Sequence, residues 1–247
     1  MGNRALRRVL AATIVMVGCS PSSARQPTPS PQVAASASPP SSTSVGITTT
    51  TPAPSTTVPP ATTVPDPVLH RVPLADGVRF SYGRAHHDYP ATDISAACGE
   101  TVVAPVNGVL LEVRRVNAYD PAIDNPATRG GISISMLGDD GLRYYMAHFS
   151  AIEDGLEPGD RVALGQPLAK VGQTGRASGC HVHFGLSPTC PGPEWEVRRG
   201  VIWPWPYLDA WRYGATDKSP GLEIYAWTKD HPNGCDVAMF LPTAKDA

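Results

Sequence analysis

One stretch of the sequence, residues 20–67, limits what the rest of the chain can fold into. It is dominated by Ser, Thr, Pro and Ala, it contains no aromatic residue, and Arg25 is its only charged residue before Asp66. Such a segment buries too little apolar surface to offset the conformational entropy that ordering would cost. We therefore predict a disordered linker over 20–67, stiffened by its prolines.

The residues before this tract resemble a bacterial secretion signal. Three arginines among the first eight residues precede an apolar run, residues 9–17, that is too short to span a bilayer as a helix. The run ends in MVGC, which is similar to a lipoprotein processing site and implies a signal peptide over 1–19, with Cys19 lipidated after cleavage. An ordinary secretory signal and a short uncleaved anchor are the alternatives. All three place the mature protein outside the cytoplasmic membrane.

The remaining residues, from 68 onward, have the length of one domain. We expect the domain over 68–215 and a tail, packed on it, over 216–247. The net charge of −2 gives no indication of a nucleic-acid partner. Besides Cys19 the chain has four cysteines, which in an oxidising compartment indicate two disulfides with three possible pairings. No CxxC pair supports a cysteine-ligated zinc site.

Short apolar runs, divided by glycine-containing turns, fill the middle of the chain. TVVAPVNGVLLEV (101–113) divides at Asn107-Gly108, and GISISMLGDDGLRYYMAHFS (131–150) alternates on both sides of GDDG, which is typical of a hairpin. Sustained helical periodicity is missing there. The pattern predicts an all-β, mainly antiparallel domain, a small folded sheet or sandwich. The Trp- and Pro-rich segment 198–214 is expected to pack across the sheet, with an exposed aromatic platform for a ligand as the alternative.

Five of the seven histidines fall in three short segments, together with Asp93. The residues are His86, His87 and Asp93 in HHDYPATD, His148 in YYMAHFS, and His181 and His183 in CHVHF. In a strand, residues i and i+2 point to the same face, so His181 and His183 project side by side. Either that face binds something that imidazoles bind, or the pair is an accident of packing.

In their order, these segments resemble the lysostaphin/LytM-type zinc metallopeptidases, which cut peptide bonds in bacterial peptidoglycan. That family has a His…Asp pair, a Y-x-H segment, a glycine-rich GD…GQ…VG-x-TG segment and a closing His-x-His strand. This chain has HHDYPATD, YMAHFS, GDRVALGQPLAKVGQTG and HVHFG, within about residues 84–187. The resemblance implies a small β domain with zinc (Zn²⁺) in an open groove.

Carried over residue by residue, the resemblance implies a ligand set and two catalytic histidines. The implied metal ligands are His87, Asp93 and His183, and the catalytic residues are His148 and His181. The chain departs from the family in having five residues, rather than the usual three, between His87 and Asp93. We choose His87 because its even offset from Asp93 keeps both on one face of an extended segment. His86 remains the alternative, because a proline-containing loop breaks that parity.

The cysteine pairing follows from this implied site. If the aspartate and the closing His-x-His strand meet at one metal from antiparallel strands, Cys98 lies close to Cys180. We therefore predict the disulfides Cys98–Cys180 and Cys190–Cys235, the second of which would hold the tail.

The implied function is that of a lipid-anchored zinc endopeptidase in the cell envelope. Its partners would be peptidoglycan peptides and, through the lipid, the membrane. The scissile bond stays open among a D-Ala-to-diamino-acid cross-link, a glycine bridge and a stem peptide. The alternatives are a catalytically silent wall-binding or activator module on the same fold and a zinc-storing lipoprotein. The presence of all five candidate residues disfavours both.

Overall fold

The computed structural model describes residues 67–190 and 195–237. The predicted signal peptide, the lipidation of Cys19 and all but the last residue of the predicted linker lie outside this range and stay predictions. Within the two described ranges, every helix falls short of the length and apolar character that crossing a membrane requires.

The described residues form ten β-strands, one short 3-10 helix and four α-helices. The strands are β1 (Phe80–Tyr82), β2 (Thr92–Ala96), β3 (Thr101–Val103), β4 (Gly108–Arg114), β5 (Ile132–Gly138), β6 (Arg143–Phe149), β7 (Ala151–Ile152), β8 (Arg161–Val162), β9 (Pro167–Lys170) and β10 (His181–Ser187). The 3-10 helix is Pro126–Thr128, and the α-helices are α1 (Trp195–Arg198), α2 (Trp205–Arg212), α3 (Gly221–Asp230) and α4 (Gly234–Val237).

The strands form two sheets, and the pairing between neighbouring strands is antiparallel throughout. The larger sheet has seven strands in the order β1-β2-β10-β6-β5-β4-β8, and the smaller has the order β3-β9-β7. The predicted all-β, mainly antiparallel fold is confirmed. The long strand β10, from the far end of the β-rich region, enters the sheet between β2 and β6, and this crossover brings distant segments together.

The two turns predicted from glycine positions both separate strands but connect them differently. The GDDG segment closes the β5–β6 hairpin, where the amide of Gly138 donates to the carbonyl of Leu142 at 2.8 Å. Asn107-Gly108 instead separates strands of different sheets, because Gly108 pairs with Gly138 of β5 and Val162 of β8. The predicted break between the two apolar runs is present, and each run pairs with a remote strand.

The core lies between the sheets and extends under helix α2. Buried residues from both sheets form one cluster with Leu208 and Trp211 of α2, and the Trp211 ring packs against that of Phe184 in β10 at 6.3 Å. The prediction that segment 198–214 packs across the sheet is confirmed. Burying each of these two α2 side chains contributes about 1.5–3 kcal/mol. Helix α3, which the sequence did not predict, adds the buried Ile224.

Both predicted disulfides are present. Cys98–Cys180 and Cys190–Cys235 have Cα–Cα distances of 5.3 and 5.5 Å. The first joins the chain just after β2 to the residue before β10, so it ties together the two strands that carry the candidate site.

Candidate metal centre

Two paired strands supply the centre of the site. In the register of β2 and β10, Asp93 lies opposite His183, and residues opposite each other in an antiparallel pair point to the same face. The Asp93 Oδ1 to His183 Nδ1 distance is 3.1 Å. His181, two positions earlier on the same face, places its Nε2 3.8 Å from the same oxygen.

A backbone carbonyl fixes the orientation of the His183 ring. Its Nε2–H donates to the carbonyl oxygen of Arg199 at 2.8 Å. That carbonyl can approach β10 because Gly185 has no side chain, and a Cβ there would collide with it. Since the proton of the neutral ring resides on Nε2, Nδ1 turns a lone pair toward the carboxylate. Two acceptor atoms this close require a proton or a cation between them, so the pair fits a metal ion.

The loop between β1 and β2 supplies His86 and His87 on the other side of Asp93. One donor atom from each of these three residues lies within 4.8 Å of the other two. The His86 side chain is 4% exposed, and its Nε2 lies 3.5 Å from Asp93 Oδ1. Its ring packs 5.1 Å from that of His183, and its Nδ1–H donates to the Tyr89 carbonyl at 3.3 Å. His87 is exposed to solvent.

The structure therefore brings both histidines within reach of Asp93 but orients them differently. The ring contact with His183 and the bond to a backbone carbonyl belong to His86. A ligand histidine ordinarily has its other ring nitrogen held in this way. The ligand role of His87 stays a prediction, and the geometry favours the alternative, His86.

A β-bulge places His148. In a regular strand His148 would face away from Ala147, which lies opposite His183. The β5–β6 register shifts between Ile132 and Ser133, and His148 has a φ of +69°, a left-handed conformation that is rare outside glycine. The bulge turns the imidazole back toward the site. The His148 ring lies 4.6 Å from that of His181 and 6.1 Å from that of His183.

The two candidate catalytic histidines are held in the same tautomer. His148 Nδ1–H donates to the Thr174 carbonyl, and His181 Nδ1–H donates to the Gly179 carbonyl, both at 2.8 Å. Since a carbonyl can only accept, Nδ1 must carry the proton in each neutral ring. The Nε2 of each ring is then an acceptor, as a general base requires.

Burial and neighbouring charges set the protonation of the cluster. Burial, reinforced by the charge of His183, lowers the pKa of His86 to about 4, and the same two causes lower the pKa of His148 to about 4. Burial raises the pKa of Asp93, but the adjoining His183 ring outweighs that effect and brings the pKa below its ordinary range. Neutral imidazoles beside an ionised carboxylate are the state that binds a metal.

All of these residues line one groove with a volume of about 500 Å³. It contains the five residues predicted from the sequence, together with His86. It also contains Tyr89, Trp195, Arg198 and Arg199, which sequence reasoning missed. They lie outside the motifs, and no local pattern around them indicates a site.

Fold and site together define a metallopeptidase-type β domain. Residues 87–191 match the model of peptidase family M23. This confirms the resemblance stated above. No curated protein matches the chain significantly.

Several solved structures are similar to the chain. The catalytic domain of the antimicrobial peptidase lysostaphin from Staphylococcus simulans is 23% identical, over 53% of this chain and 92% of that chain, with a TM-score of 0.41. A zinc containing peptidase from Vibrio cholerae is 20% identical, over 48% of this chain and 36% of that one, with a TM-score of 0.38. A putative glycyl-glycine endopeptidase lytM from Ruminococcus gnavus is 20% identical, over 55% and 63%, with a TM-score of 0.39.

Proposed function

We propose that the domain is a zinc-dependent endopeptidase that hydrolyses peptide bonds in bacterial peptidoglycan. The observation that carries the proposal is the convergence of Asp93, His183 and His86 with two further histidines whose tautomers are fixed. The family match supports a metallopeptidase, and the order of the motifs supports peptidoglycan as the substrate. A wall-binding module or a zinc store would have no need of His148 and His181 in the same groove.

The proposed ligands are His86, Asp93 and His183. Two imidazoles and one carboxylate are a common catalytic zinc set, and backbone carbonyls hold the opposite nitrogens of both imidazoles. His87 is the second candidate for the first position. When bound, zinc supplies Lewis-acid polarisation of the scissile carbonyl and lowers the pKa of the attacking water.

The chain's own contribution is proton transfer by the remaining two histidines. In their neutral form both His148 and His181 have Nε2 as an acceptor, so either can take a proton from the attacking water. The imidazolium that results can donate from Nε2 to the developing oxyanion or to the leaving amine. Neither ring can donate from Nε2 before it has gained a proton, because Nδ1–H is engaged by a carbonyl.

The place of action that we propose is the cell envelope. The arginine-rich start, the apolar run and the Cys19 site support export and a lipid anchor in the membrane. The tract 20–67 would then connect that anchor to the domain, with a reach of about 40 Å as a flexible coil and about 140 Å if fully extended as polyproline II.

Digestion of purified wall fragments tests the function. The zinc-loaded protein, the chelated protein and the chelated protein with zinc restored are each incubated with the fragments, and the products are weighed by mass spectrometry. We expect peptide cleavage in the first and third samples, and the product masses identify the bond cut. A protein that sediments with the wall but releases no peptide when zinc-loaded would be the silent binding module instead.

A further inference from the structure

The groove is lined by four arginines, and three of them donate hydrogen bonds to carboxylates of the protein. Arg129 and Arg176 both donate to Asp124, at 2.8 and 3.3 Å. Arg198 donates to both carboxylate oxygens of Glu112, at 3.1 and 2.7 Å. These three side chains are occupied with protein partners.

The fourth, Arg199, contacts aromatic rings instead. Its guanidinium carbon lies 3.8 Å from the centre of the Tyr89 ring and 5.0 Å from that of Trp195. Among the residues of 67–190 and 195–237, none forms an ion pair with it or accepts a hydrogen bond from it, and its Nε is buried without a partner. Stacking on aromatic faces fixes the plane of a guanidinium but leaves its terminal N–H donors free.

The same residue adjoins the candidate metal centre. The Tyr89 ring under its guanidinium lies 5.8 Å from the His183 ring and 4.5 Å from the His86 ring. The backbone carbonyl of Arg199 accepts the Nε2–H of His183. The guanidinium is therefore one aromatic ring away from the metal ligands. An extended peptide rises about 3.3 Å per residue, so a substrate held at the metal reaches Arg199 within about three residues.

A half-buried guanidinium with free donors is suited to a planar anion. A carboxylate accepts two parallel N–H bonds from it, and it is the planar anion that a peptide can supply. The groove has one further acidic residue, Asp88, besides the metal ligand Asp93. Asp88 forms no ion pair with Arg199 in the described structure. The cationic position therefore remains open to a ligand.

We infer that Arg199 is a specificity-determining residue that binds a free carboxylate of the substrate, within about three residues of the bond that is cut. The domain then prefers acid-bearing stem or cross-link peptides to neutral glycine bridges. This inference rests on the proposed function, because it names the class of peptide that the same groove takes.

Matched substrates test the inference. One is a D-Ala-to-diamino-acid cross-link peptide with the side-chain carboxylate of the diamino acid free, and the other has that carboxylate amidated. We expect the native protein to favour the free acid by about tenfold to a hundredfold in kcat/KM, the range of a charge-assisted hydrogen bond. Arg199→Gln should remove this preference by slowing cleavage of the acid, with the amide cleaved as before.

Two further variants make the measurement specific. Arg176→Gln removes a groove arginine that already has a carboxylate partner, so the full preference should remain. Arg199→Lys keeps the charge but loses the two-pronged donor, and the preference should fall at least about threefold. Zinc content is measured for each variant, and Arg199→Lys serves as the test if Arg199→Gln loses zinc. The inference is overturned if the variant used favours the free acid as strongly as the native protein does. It is also overturned if the native protein shows no preference for the free acid.

A binding measurement distinguishes failure of the inference from failure of the proposed function. The zinc-loaded His181→Ala protein is titrated with both peptides by calorimetry, with and without Arg199→Gln. If the native protein cuts neither peptide, the endopeptidase proposal fails. In that case the ratio of the dissociation constants of the two peptides still tests Arg199. A ratio above tenfold that is lost with Arg199→Gln supports its role, and any other result refutes it.

Discussion

The two halves of the candidate metal centre are built differently. Asp93 and His183 stand opposite each other on paired strands, and a one-residue slip would turn every side chain of either strand to the wrong face. His86 and His87 lie in a loop, where both reach Asp93. The strand half thus permits one arrangement, whereas the loop half permits two. The comparison shows that sheet register defines the site and that the loop completes its ligand set.

The strand half should tolerate substitution least. We expect His183→Ala to abolish zinc binding and hydrolysis together, because it removes a ligand from the strand pair that holds Asp93. Zinc content by atomic absorption and release of wall peptides are the measurements. Full zinc occupancy in a folded His183→Ala protein would refute the ligand assignment.

The loop half is tested by replacing its two histidines one at a time. His86→Ala should weaken zinc binding by more than about 10²-fold, since loss of a residue that merely supports a ligand already costs 10- to 100-fold. His87→Ala, at the exposed position, should change it by less than about tenfold. Competition with a zinc chelator measures both affinities. The reverse order of effects would restore His87 as the ligand, as the sequence predicts.

A residue on strand β10 that does not bind the metal separates catalysis from metal binding. His181→Ala should retain zinc but lower kcat by about 10²-fold or more, the usual contribution of a general acid or base. The group that accepts the Nδ1–H of His181 is the backbone carbonyl of Gly179, which this substitution leaves in place. Turnover equal to that of the native protein would remove His181 from the mechanism.

The last expected effect is on the stability of the zinc-free protein below neutral pH. The pKa of His148 is about 4 in the folded protein and about 6.5 when unfolded. Between these values the unfolded state binds more protons, so the free energy of unfolding falls as pH drops from about 6.5 to 4, by on the order of 3 kcal/mol. His86 acts in the same direction.

Urea unfolding at several pH values measures this effect. His148→Gln should flatten the pH dependence relative to the native protein, whereas His87→Gln should leave it steep. An equally steep dependence in His148→Gln would contradict the buried, neutral state of that ring.

Hydrolysis should also decline below about pH 6, because zinc ligands must be unprotonated.

Local sequence pattern was informative where the chain is regular. Alternation in GISISMLGDDGLRYYMAHFS predicted the β5–β6 hairpin, and the i, i+2 rule placed His181 and His183 on one face. At Asn107-Gly108 it predicted the break between two strands but not their partners, because a turn residue does not tell which remote strand its neighbour joins. It also missed helices α2 and α3, which are short and begin after prolines. Their stability comes from buried Trp211 and Ile224 rather than from helical periodicity.

By itself the sequence determined the residue types of the site, their order along the chain and, through the family resemblance, the cysteine pairing. The tertiary structure decided the rest. A bulge with a left-handed His148 reversed the face to which that ring points, and the loop placed His86 against His183. Packing also brought the carbonyl and the guanidinium of Arg199 beside the metal residues. Parity along a regular strand can be read from spacing alone, but bulges, loops and contacts between distant segments depend on the whole folded chain.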